Sequence, residues 1–569
     1  MVTISALSAM LVNVIACRRE QPEPPAPAPP SVADGPIVLR DVSSDSGMDA
    51  KHTDGSDGRR FIIEPMCAGM ALLDYDNDGL IDVYVLNGAP HAGSDIEEQP
   101  RNRLYRNLGN LRFQDVTLAS GAGNQEFGLG VTAADFDNDG YQDIYLNNSG
   151  PNALLKNNGD GTFSDITGPA GVGNKERVGA GAAFFDMDAD GDLDLYAANY
   201  LEFDPEEHVQ RNVRGYPSYP SPRDFRPIPD SLFRNNGDGT FTDVSQESGV
   251  ASHAGTGMGM VVADVDDDGH MDVFVLNDVA ENFFFRNDGK GNFEEVGLLV
   301  GLAYNGFGEE NASMGVDCGD VNNDGLLDFY MTSYQAEFPV FYRNLGEGRF
   351  EDATQETQAG AGLHPWVNWG IGLVDFDCDG DLDCFVANGH TEDNVDMYDS
   401  TTSYRAPNTV LLNTGGGRFK NVSKQCGDGL EPVHASRGAA FNDLDNDGDV
   451  DVVVLNSRER PTVLRNDSNA EAETKAHWVQ LKLIGVESNR DGVGSRVTVT
   501  AGDLTRVAEV HSGRGYQSHY AMRLHFGLGT RDTIDRLGIR WAGSGTVDTF
   551  ENIKTDRLHH VIEGRGLRR

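Results

Sequence analysis

The sequence predicts an all-β protein in which seven similar four-stranded units are followed by a small β domain. Three observations support this prediction. A nine-residue acidic motif, Asp-x-Asp/Asn-x-Asp-Gly-x-x-Asp, occurs seven times, and a short apolar run follows every copy. A turn-rich segment with Asn-Gly or similar pairs follows six of these runs. Four-stranded units that repeat at this length are typical of β-propeller blades, so we predict a seven-bladed β-propeller.

The acidic motif has the donor pattern of a calcium loop. Its alternating carboxylates can converge, the glycine at the sixth position permits a sharp turn, the seventh residue offers its backbone carbonyl, and the last Asp closes the site. We predict about seven structural Ca²⁺ sites. Their ligands are Asp74, Asp76, Asp78, Leu80 and Asp82; Asp135, Asp137, Asp139, Tyr141 and Asp143; Asp186, Asp188, Asp190, Asp192 and Asp194; Asp264, Asp266, Asp268, His270 and Asp272; Asp320, Asn322, Asp324, Leu326 and Asp328; Asp375, Asp377, Asp379, Asp381 and Asp383; and Asp443, Asp445, Asp447, Asp449 and Asp451.

An EF-hand begins in the same way but requires a Glu at its twelfth position. The residues at that position here are Val85, Leu146, Ala197, Val275, Met331, Val386 and Val454. The runs that follow the loops, such as IDVYVL and VDVVVL, read as buried strands and not as helices. Each loop is therefore predicted to join two strands, and a solvated acidic turn is an improbable explanation for seven copies.

The two ends of the repeat array complement each other. The seventh unit stops after TVLRND at 462–467, without the last strand that the other units have. A matching segment, IVLRDVSSDSG, stands at 37–47. We predict that this N-terminal strand completes the last blade, because such closure leaves no unpaired sheet edge.

These repeats resemble the FG-GAP or VCBS type found in the propellers of integrin α-chains. The motifs HWVQLKLIG at 477–485, SNRDGVGSRV at 488–497, GRGYQS at 513–518, HFGLG at 525–529 and IRWAGSG at 539–545 resemble an ASPIC/UnbV domain. The pair in this order is similar to the family of cartilage acidic protein and its many bacterial relatives. The resemblance implies a seven-bladed propeller followed by a small β-sandwich-like domain, and it implies no reaction.

The predicted organisation has five parts. They are a lipoprotein-type signal peptide at 1–16, a Pro-rich tether at 17–36, the propeller at 37–466, a linker at 467–476 and the ASPIC/UnbV-like domain at 477–569. The stretch MVTISALSAMLVNVIACRRE predicts cleavage before Cys17 and lipidation of its thiol; an ordinary signal peptide with an incidental cysteine is the alternative. We expect an exported protein on the bacterial outer membrane or cell surface, or else in the periplasm or secreted.

The charge composition limits the classes of partner that this protein can bind. The formal net charge is −45, whereas residues 477–569 carry 14 Lys and Arg against 10 Asp and Glu, so the acidity belongs to the propeller. Nucleic acid is excluded as a partner because its binding requires basic surface. We expect a monomer that contacts the membrane only through an N-terminal lipid.

Cys318 and Cys378 are predicted to be either a disulfide pair or small buried hydrophobes.

The ligand is predicted to bind on the propeller face away from the calcium loops, where the long insertions 200–230 and 389–407 lie. The candidate ligand-face residues are Asn148, Asn199, Tyr200, Trp366, Trp369, His390, His434, Arg437 and Arg458. The asparagines also suit ordinary turns. We predict a cell-surface adhesion module for a carbohydrate or an extracellular protein. The alternative is a calcium-dependent polysaccharide lyase or hydrolase using His390 or His434, although no nucleophile or phosphate-binding motif occurs.

Overall fold

The computed structural model describes residues 35–91, 94 and 100–568. The predicted signal peptide, the lipidation site Cys17 and all but the last two residues of the predicted tether lie outside these residues. The described residues belong to one compact unit. Within the described residues, no helix combines the length and apolarity needed to cross a membrane.

A short strand β1 (Leu39–Asp41) precedes the blades, of which seven are formed by the described residues, each with four antiparallel strands; β1 belongs to the seventh, and Arg177 and Val178 of the third pair with Gly150 and Ser149 of the second. Blades 1 to 3 consist of β2 (Met70–Leu73), β3 (Asp82–Val85), β4 (Arg103–Asn107) and β5 (Phe113–Asp115); β6 (Phe127–Ala134), β7 (Asp143–Gly150), β8 (Ala153–Asn157) and β9 (Phe163–Asp165); and β10 (Arg177–Phe185), β11 (Asp194–Asn199), an inserted hairpin β12 (Arg211–Val213) and β13 (Tyr216–Ser218), β14 (Ser231–Asn235) and β15 (Phe241–Asp243). Blades 4 to 7 consist of β16 (Gly257–Ala263), β17 (Asp272–Ala280), β18 (Phe283–Asn287) and β19 (Phe293–Glu295), with β20 (Asn311–Ala312) beside β17; β21 (Val316–Gly319), β22 (Asp328–Met331), β23 (Val340–Asn344) and β24 (Phe350–Asp352); β25 (Asn368–Val374), β26 (Asp383–Asn388), β27 (Thr409–Asn413) and β28 (Phe419–Asn421); and β29 (Ser436–Asn442), β30 (Asp451–Asn456) and β31 (Thr462–Asn466).

The blades form a closed ring. The first strand of every blade contacts the first strand of the next, and β29 of blade 7 contacts β2 of blade 1. Strand β1 pairs antiparallel with β31 and becomes the fourth strand of blade 7, with Leu39 opposite Asn466. The all-β repeat fold predicted from the sequence is confirmed, and the architecture is propeller-like. Because β1 covers the edge of blade 7, the ring presents no open edge at its closure.

Helices contribute little to this fold. Six four-residue α-helices occur in the described chain, and most follow the last strand of a blade: α1 (Ser43–Ser46), α2 (Thr117–Ser120), α3 (Thr167–Ala170), α4 (Gly297–Val300), α5 (Thr354–Thr357) and α6 (Ser468–Glu471). Gly47, Gly121, Gly171 and Gly301 end four of them in the left-handed conformation. Such a residue stops a helix without steric strain.

The C-terminal domain consists of two four-stranded sheets. Its strands are β32 (His477–Ile484), β33 (Arg496–Ala501), β34 (Leu504–Glu509), β35 (Leu524–Gly529), β36 (Thr533–Arg540), β37 (Val547–Lys554), β38 (Leu558–Ile562) and β39 (Gly566–Arg568). The sheet orders are β35-β32-β38-β39 and β34-β33-β36-β37, with β32 and β38 parallel. Buried residues such as Val479, Val497 and Trp541 share one apolar cluster with Phe185 and Met271 of the propeller. The domain is therefore packed firmly on the ring.

An asparagine at the end of each third strand joins neighbouring blades. Asn157 is typical: its side-chain N–H groups donate to Tyr75 O of blade 1 at 2.8 Å and to Gln142 O of its own blade at 3.2 Å, and its Oδ1 accepts the Gly159 N–H. The equivalent residues reach the preceding blade in the same way, and the set is Asn107, Asn157, Asn235, Asn287, Asn344, Asn413 and Asn466. The sequence segments that contain them were interpreted only as hairpin turns, so this role was missed; the signal was an Asn two residues before a Gly in six copies.

We expect Asn157→Ala to lower the free energy of unfolding by about 2–3 kcal/mol, because it leaves two buried carbonyls without donors. The matched control is Asn158→Ala, which removes an exposed side chain bonded only to Thr162 and Ser164. Chemical denaturation in the presence of calcium measures both variants. Equal effects of the two substitutions would contradict the joining role.

Candidate metal loops and the opposite face

The seven acidic loops share one backbone geometry. The first Asp accepts the N–H of the sixth-position glycine at 2.7–3.4 Å in every copy. That glycine and the fourth residue both have positive φ, as Gly140 (96°) and Asn138 (59°) illustrate. Side chains at these φ values are strained except for Gly and, to a lesser degree, Asn and Asp. The turn therefore folds the chain back so that its carboxylates converge.

The ninth residue anchors each loop to its blade. Its Oδ1 accepts the backbone N–H of the blade-joining asparagine at 2.7–2.9 Å in all seven copies. Its Oδ2 accepts the N–H of the second loop residue at 2.9–3.3 Å in six copies. In the fourth loop, Asp272 Oδ2 lacks a partner. The ninth Asp is thus a structural anchor as well as a candidate ligand.

The loop carboxylates gather closely enough to bind a metal ion. Trios of carboxylate oxygens lie within 4.8 Å of one another in loops 1, 2, 3, 4 and 6, for example Asp135, Asp137 and Asp143. Burial, and then the neighbouring Asp491 carboxylate, raise the pKa of Asp135 to about 8. Five buried carboxylate oxygens of the loops have no hydrogen-bond partner, and they belong to Asp188, Asp264, Asp272, Asp375 and Asp445. Unpartnered anionic oxygens are what a bound hard cation would satisfy, so these residues fit a metal.

The C-terminal domain covers the face that carries the loops. Six of the seven loops receive a polar contact from it among the described residues: Lys482 with Asp74, Asp491 with Asp135, Glu509 with Asp264, Arg496 with Gly325, Arg506 with Asp381 and Gln480 with Asp443. Four of the six side chains are Lys, Arg or Gln. A domain with more Lys and Arg than Asp and Glu thus lies on the acidic face of the ring, which favours its docking.

One segment of this domain fills the central channel. Residues 511–523 hydrogen-bond to the inner strands: His519 N–H donates to Met70 O at 2.9 Å, and Gly515 N–H donates to Val316 O at 2.7 Å. Tyr516 Oη reaches Met66 O at 2.6 Å. Gly69 has no room for a side chain, since a Cβ there would lie 1.8 Å from Gln517 O. The segment 511–523, which contains the motif GRGYQS, therefore fills the channel. Its backbone lies so close to the inner strands that positions such as Gly69 have no space for a side chain.

Several predicted ligand-face residues are buried and hold the scaffold. Asn148 and Asn199 donate to Pro151 O and Pro229 O, as ordinary turn residues do. Tyr200 is buried, and its hydroxyl donates to Asp278 at 2.8 Å. Trp369 is also buried, and its Nε1–H donates to Gly389 O at 2.6 Å. These four side chains are engaged by the protein itself.

The charged candidates are likewise occupied. Arg437 is 1% exposed and donates to four backbone carbonyls. His390 is buried, and its Nδ1 accepts the Glu392 N–H. His434 pairs with Glu459 at 2.5 Å, and Arg458 pairs with Asp393 at 2.9 Å. Trp366 is half-buried. Arg437 thus lies against the backbone of His390, and the enzyme alternative that uses His390 or His434 stays a prediction.

The cysteines are also structural. Cys67, Cys318, Cys378, Cys384 and Cys426 are all buried and free. The disulfide alternative for Cys318 and Cys378 is therefore wrong for this structure. Burial raises the pKa of the Cys318 thiol well above its usual value, which keeps it protonated. The side chains act as small hydrophobes.

The two long insertions meet on the opposite face, which we define as the ring face away from the acidic loops. The rings of Tyr216 and Tyr398 stack with centroids 5.7 Å apart. Ser218 Oγ donates to Glu392 at 2.6 Å. Beneath the 218–222 stretch lies a cavity of 270 Å³ lined by residues that include Tyr219, Asp278, Tyr334 and Glu392. The insertions thus form one continuous surface with a cavity under it.

A buried carboxyl group lies beside this cavity. Tyr219 Oη donates to Glu64 Oε2 at 3.2 Å, while Glu64 Oε1 has no partner. Burial raises the pKa of Glu64 to about 7, and the nearby Asp54 carboxylate adds to the shift. The folded protein therefore keeps a proton on Glu64 at pH values where an unfolded chain has lost it.

We expect Glu64→Gln to stabilise the protein at pH 8 by about 2 kcal/mol or more and at pH 5 by less than about 1 kcal/mol, since an unfolded glutamate is only partly ionised at pH 5. A raised folded-state pKa gives stability below the unfolded pKa, and this stability is lost as the pH rises through about 7. Glutamine stays neutral at both pH values, so it avoids the burial of a charge. Denaturant unfolding at the two pH values measures the difference, with Glu202→Gln, an exposed glutamate, as the control. A gain of equal size at pH 5 and pH 8 would refute the assignment.

Comparison with known proteins agrees with this architecture. An FG-GAP-like repeat model matches residues 74–146, 135–197, 227–275, 264–331 and 320–386, and an ASPIC and UnbV model matches 485–568. Cartilage acidic protein 1 of Mus musculus is 23% identical over 524 residues, which cover 87% of this chain and 73% of the mouse protein. The Xenopus tropicalis protein is 24% identical, covering 83% and 70%.

Solved structures align with this chain at lower sequence identity. An Agrocybe aegerita lectin that recognises non-reducing terminal N-acetylglucosamine aligns with a TM-score of 0.35 and 17% identity, covering 63% of this chain and 81% of the lectin. An exotype rhamnogalacturonan lyase aligns with a TM-score of 0.36 and 12% identity, covering 70% of this chain and 71% of the lyase.

Proposed function

We propose that this chain, which combines FG-GAP-like repeats with a C-terminal ASPIC and UnbV domain and is homologous to cartilage acidic protein 1, is an exported, calcium-stabilised module that binds a carbohydrate or an extracellular protein. Calcium is proposed for all seven loops, with the residues predicted from the sequence as ligands. An N-terminal lipid on Cys17 is proposed to hold the protein at the cell surface. The domain boundaries predicted from the sequence are retained in this proposal.

One observation carries the proposal of binding: the opposite face is the ring face that the C-terminal domain leaves uncovered. The loop face is covered by that domain, and the channel is filled by residues 511–523. The opposite face offers the stacked pair Tyr216 and Tyr398 and, lined by Tyr219 and Glu392 of the same two insertions, a cavity of 270 Å³. Tyr216 is 36% exposed. Aromatic rings with one exposed face are frequent anchors in binding surfaces because they bury a large area with little loss of freedom.

The proposed role is binding and not cleavage. A hydrolase or lyase needs an acid or base within reach of its substrate. His390 accepts a backbone N–H, and Arg437 donates to carbonyls inside the ring. Glu64 has a raised pKa, but its free oxygen is fully buried. Of the residues named for cleavage, His390 and Arg437 are thus engaged inside the ring, and the part-exposed His434 is paired with Glu459 at 2.5 Å.

A retention assay tests the proposal. The calcium-loaded full chain would be passed over a panel of immobilised polysaccharides and glycoproteins, and each fraction would be scored for retained protein and for newly released chain ends. We expect retention without release on at least one ligand, and about a tenfold loss of affinity in Tyr216→Ala and Tyr398→Ala. Val547→Ala is the control, since Val547 is 65% exposed and lies in the C-terminal domain, outside the opposite face. Released chain ends, or an equal loss with Val547→Ala, would overturn it.

A further inference from the structure

The fourth acidic loop differs from the other six in its hydrogen bonds. In the other loops, the ninth Asp accepts the N–H of the second residue through Oδ2. In the fourth loop, Asp272 Oδ2 is buried without a partner, and so is Asp264 Oδ1. Both residues are 2% exposed. Two buried anionic oxygens on one loop are left without a donor, although water cannot reach them.

A third unpartnered oxygen comes from the C-terminal domain. Glu509 is the last residue of β34 and is 2% exposed. Its Oε1 accepts the backbone N–H of Asp264 at 3.2 Å, which places the carboxylate at the start of the loop. Its Oε2 is buried without a partner. A buried carboxylate oxygen with no donor is destabilising unless a charge or a metal satisfies it.

The nearby basic side chains do not donate to these three unpartnered oxygens. Arg540 donates to Asp264 Oδ2 at 2.7 Å and to Asp267 at 2.7 Å, so it serves the other oxygen of Asp264. Arg496 donates to the backbone carbonyl of Asp264 at 3.3 Å. His511 Nδ1 lies 2.9 Å from Val262 O and 3.7 Å from Glu509 Oε1. None of these contacts reaches Glu509 Oε2, Asp264 Oδ1 or Asp272 Oδ2.

The second loop shows the contrasting arrangement. Asp491 of the C-terminal domain also accepts the N–H of a first loop residue, Asp135, at 2.8 Å. The same oxygen accepts Gln142 Nε2–H at 3.4 Å. Both oxygens of Asp135 accept backbone N–H groups, from Asp139 and Gly140. A carboxylate beside a loop is therefore not enough by itself, and only the fourth loop combines it with three unpartnered oxygens.

We propose that Glu509 is an oxygen ligand, contributed by the C-terminal domain, to the cation bound by the fourth loop. This inference rests on the calcium binding proposed above. Calcium takes six to eight oxygens, and an oxygen from a second domain reduces the number that water must supply. One cation then joins the propeller to the C-terminal domain, and its binding is linked to the docking of the two.

Calcium titration of Glu509→Gln tests this. Calorimetry on the chelator-stripped full chain would compare the wild type, Glu509→Gln and the control Glu551→Gln, an exposed glutamate of the same domain. We expect one site to weaken by about 10- to 100-fold in Glu509→Gln, with the other sites and the control unchanged. Equal stoichiometry and equal affinities in all three proteins would overturn the inference. A wild type that takes up no calcium would overturn the proposed function and this inference together, whereas calcium uptake that Glu509→Gln leaves unaltered removes the inference alone.

Melting experiments separate a ligand from a structural acceptor. The amide oxygen of glutamine can still accept the Asp264 N–H, so a purely structural role predicts a shift of the melting temperature that is the same in EDTA and in calcium. A ligand role predicts opposite shifts: Glu509→Gln melts above the wild type in EDTA, because one buried negative charge is gone, and below it in calcium. If Glu509→Gln does not fold, Glu509→Asp keeps the charge and withdraws the oxygen. It is expected to show the weakened site, and wild-type affinity in this variant would count against the proposal.

Discussion

Chelation of calcium with EDTA is expected to lower the melting temperature of the protein by on the order of 10 °C or more. Extracellular calcium modules bind with Kd values of about 10⁻⁴–10⁻³ M, and a free concentration tenfold above Kd stabilises the folded state by about 1.4 kcal/mol per site. Seven sites give about 10 kcal/mol, which is comparable to the whole stability of a typical domain. Without the cations, the clustered carboxylates repel one another; burial, and then the Asp491, Asp139 and Asp137 carboxylates, raise the pKa of Asp135 to about 8.

The loss should be specific to calcium and shared among the loops. Readdition of calcium is expected to restore the melting temperature, whereas equimolar magnesium restores less because it requires stricter geometry. Asp137→Asn disables one loop and should reduce the EDTA effect by about one seventh if the sites are independent. The control Asp160→Asn changes an exposed hairpin residue of the same blade and should leave the effect intact. A melting curve that EDTA does not move would rule out structural calcium.

Replacement of Arg437 by methionine is expected to lower the free energy of unfolding by about 3–5 kcal/mol. The guanidinium group is inside the ring and donates to Pro65 O at 2.6 Å, Gly389 O at 3.2 Å, Ser436 O at 2.9 Å and His390 O at 3.1 Å. It also lies 4.4 Å from the centre of the Trp369 ring. Methionine fills part of the volume but donates no hydrogen bond, so several buried carbonyls lose their donor.

Denaturant unfolding of Arg437→Met in calcium measures this loss. The control is Arg226→Met, because Arg226 is exposed and pairs only with exposed Glu202 at 3.2 Å; its effect should stay within about 0.5 kcal/mol. An Arg437→Met protein as stable as the wild type would show that the channel tolerates the unpaired carbonyls. Such a result would also return Arg437 to consideration as a ligand-binding residue.

Local repeats made most of the fold predictable. Each acidic loop is a complete signal within nine residues, and the β-branched run after it identifies a buried strand. The closure of the ring was predicted from a strand missing at 467 and present at 37–47, and β1 does pair with β31. These features can be predicted because each lies within a short segment whose residue pattern does not depend on contacts with distant segments. The same reasoning gave the turn roles of Asn148 and Asn199.

Contacts between distant segments could not be predicted in this way. Arg437 looked like a surface residue because nothing near it in the sequence shows that Pro65 lies against it, 372 positions away. The segment 511–523 contains GRGYQS, a motif that predicted only the type of the C-terminal domain, and its place in the channel could not be predicted because its partners are the inner strands of the blades. The role proposed for Glu509 likewise depends on its position beside Asp264, which the sequence does not show. Side chains that are satisfied by remote backbone groups leave no periodic pattern in the sequence.

The closure of the ring by β1 also sets an order for biogenesis. Leu39 pairs with Asn466, so β1, the first strand of the described residues, waits for more than 400 residues to be synthesised before its partner exists. Until then, blade 7 cannot form, and the channel stays open because residues 511–523 come later still. Pairings this distant in sequence form slowly, and the incomplete ring exposes strand edges that can associate with other chains. Strand β1 is therefore synthesised before the strands of the ring but is among the last to be paired.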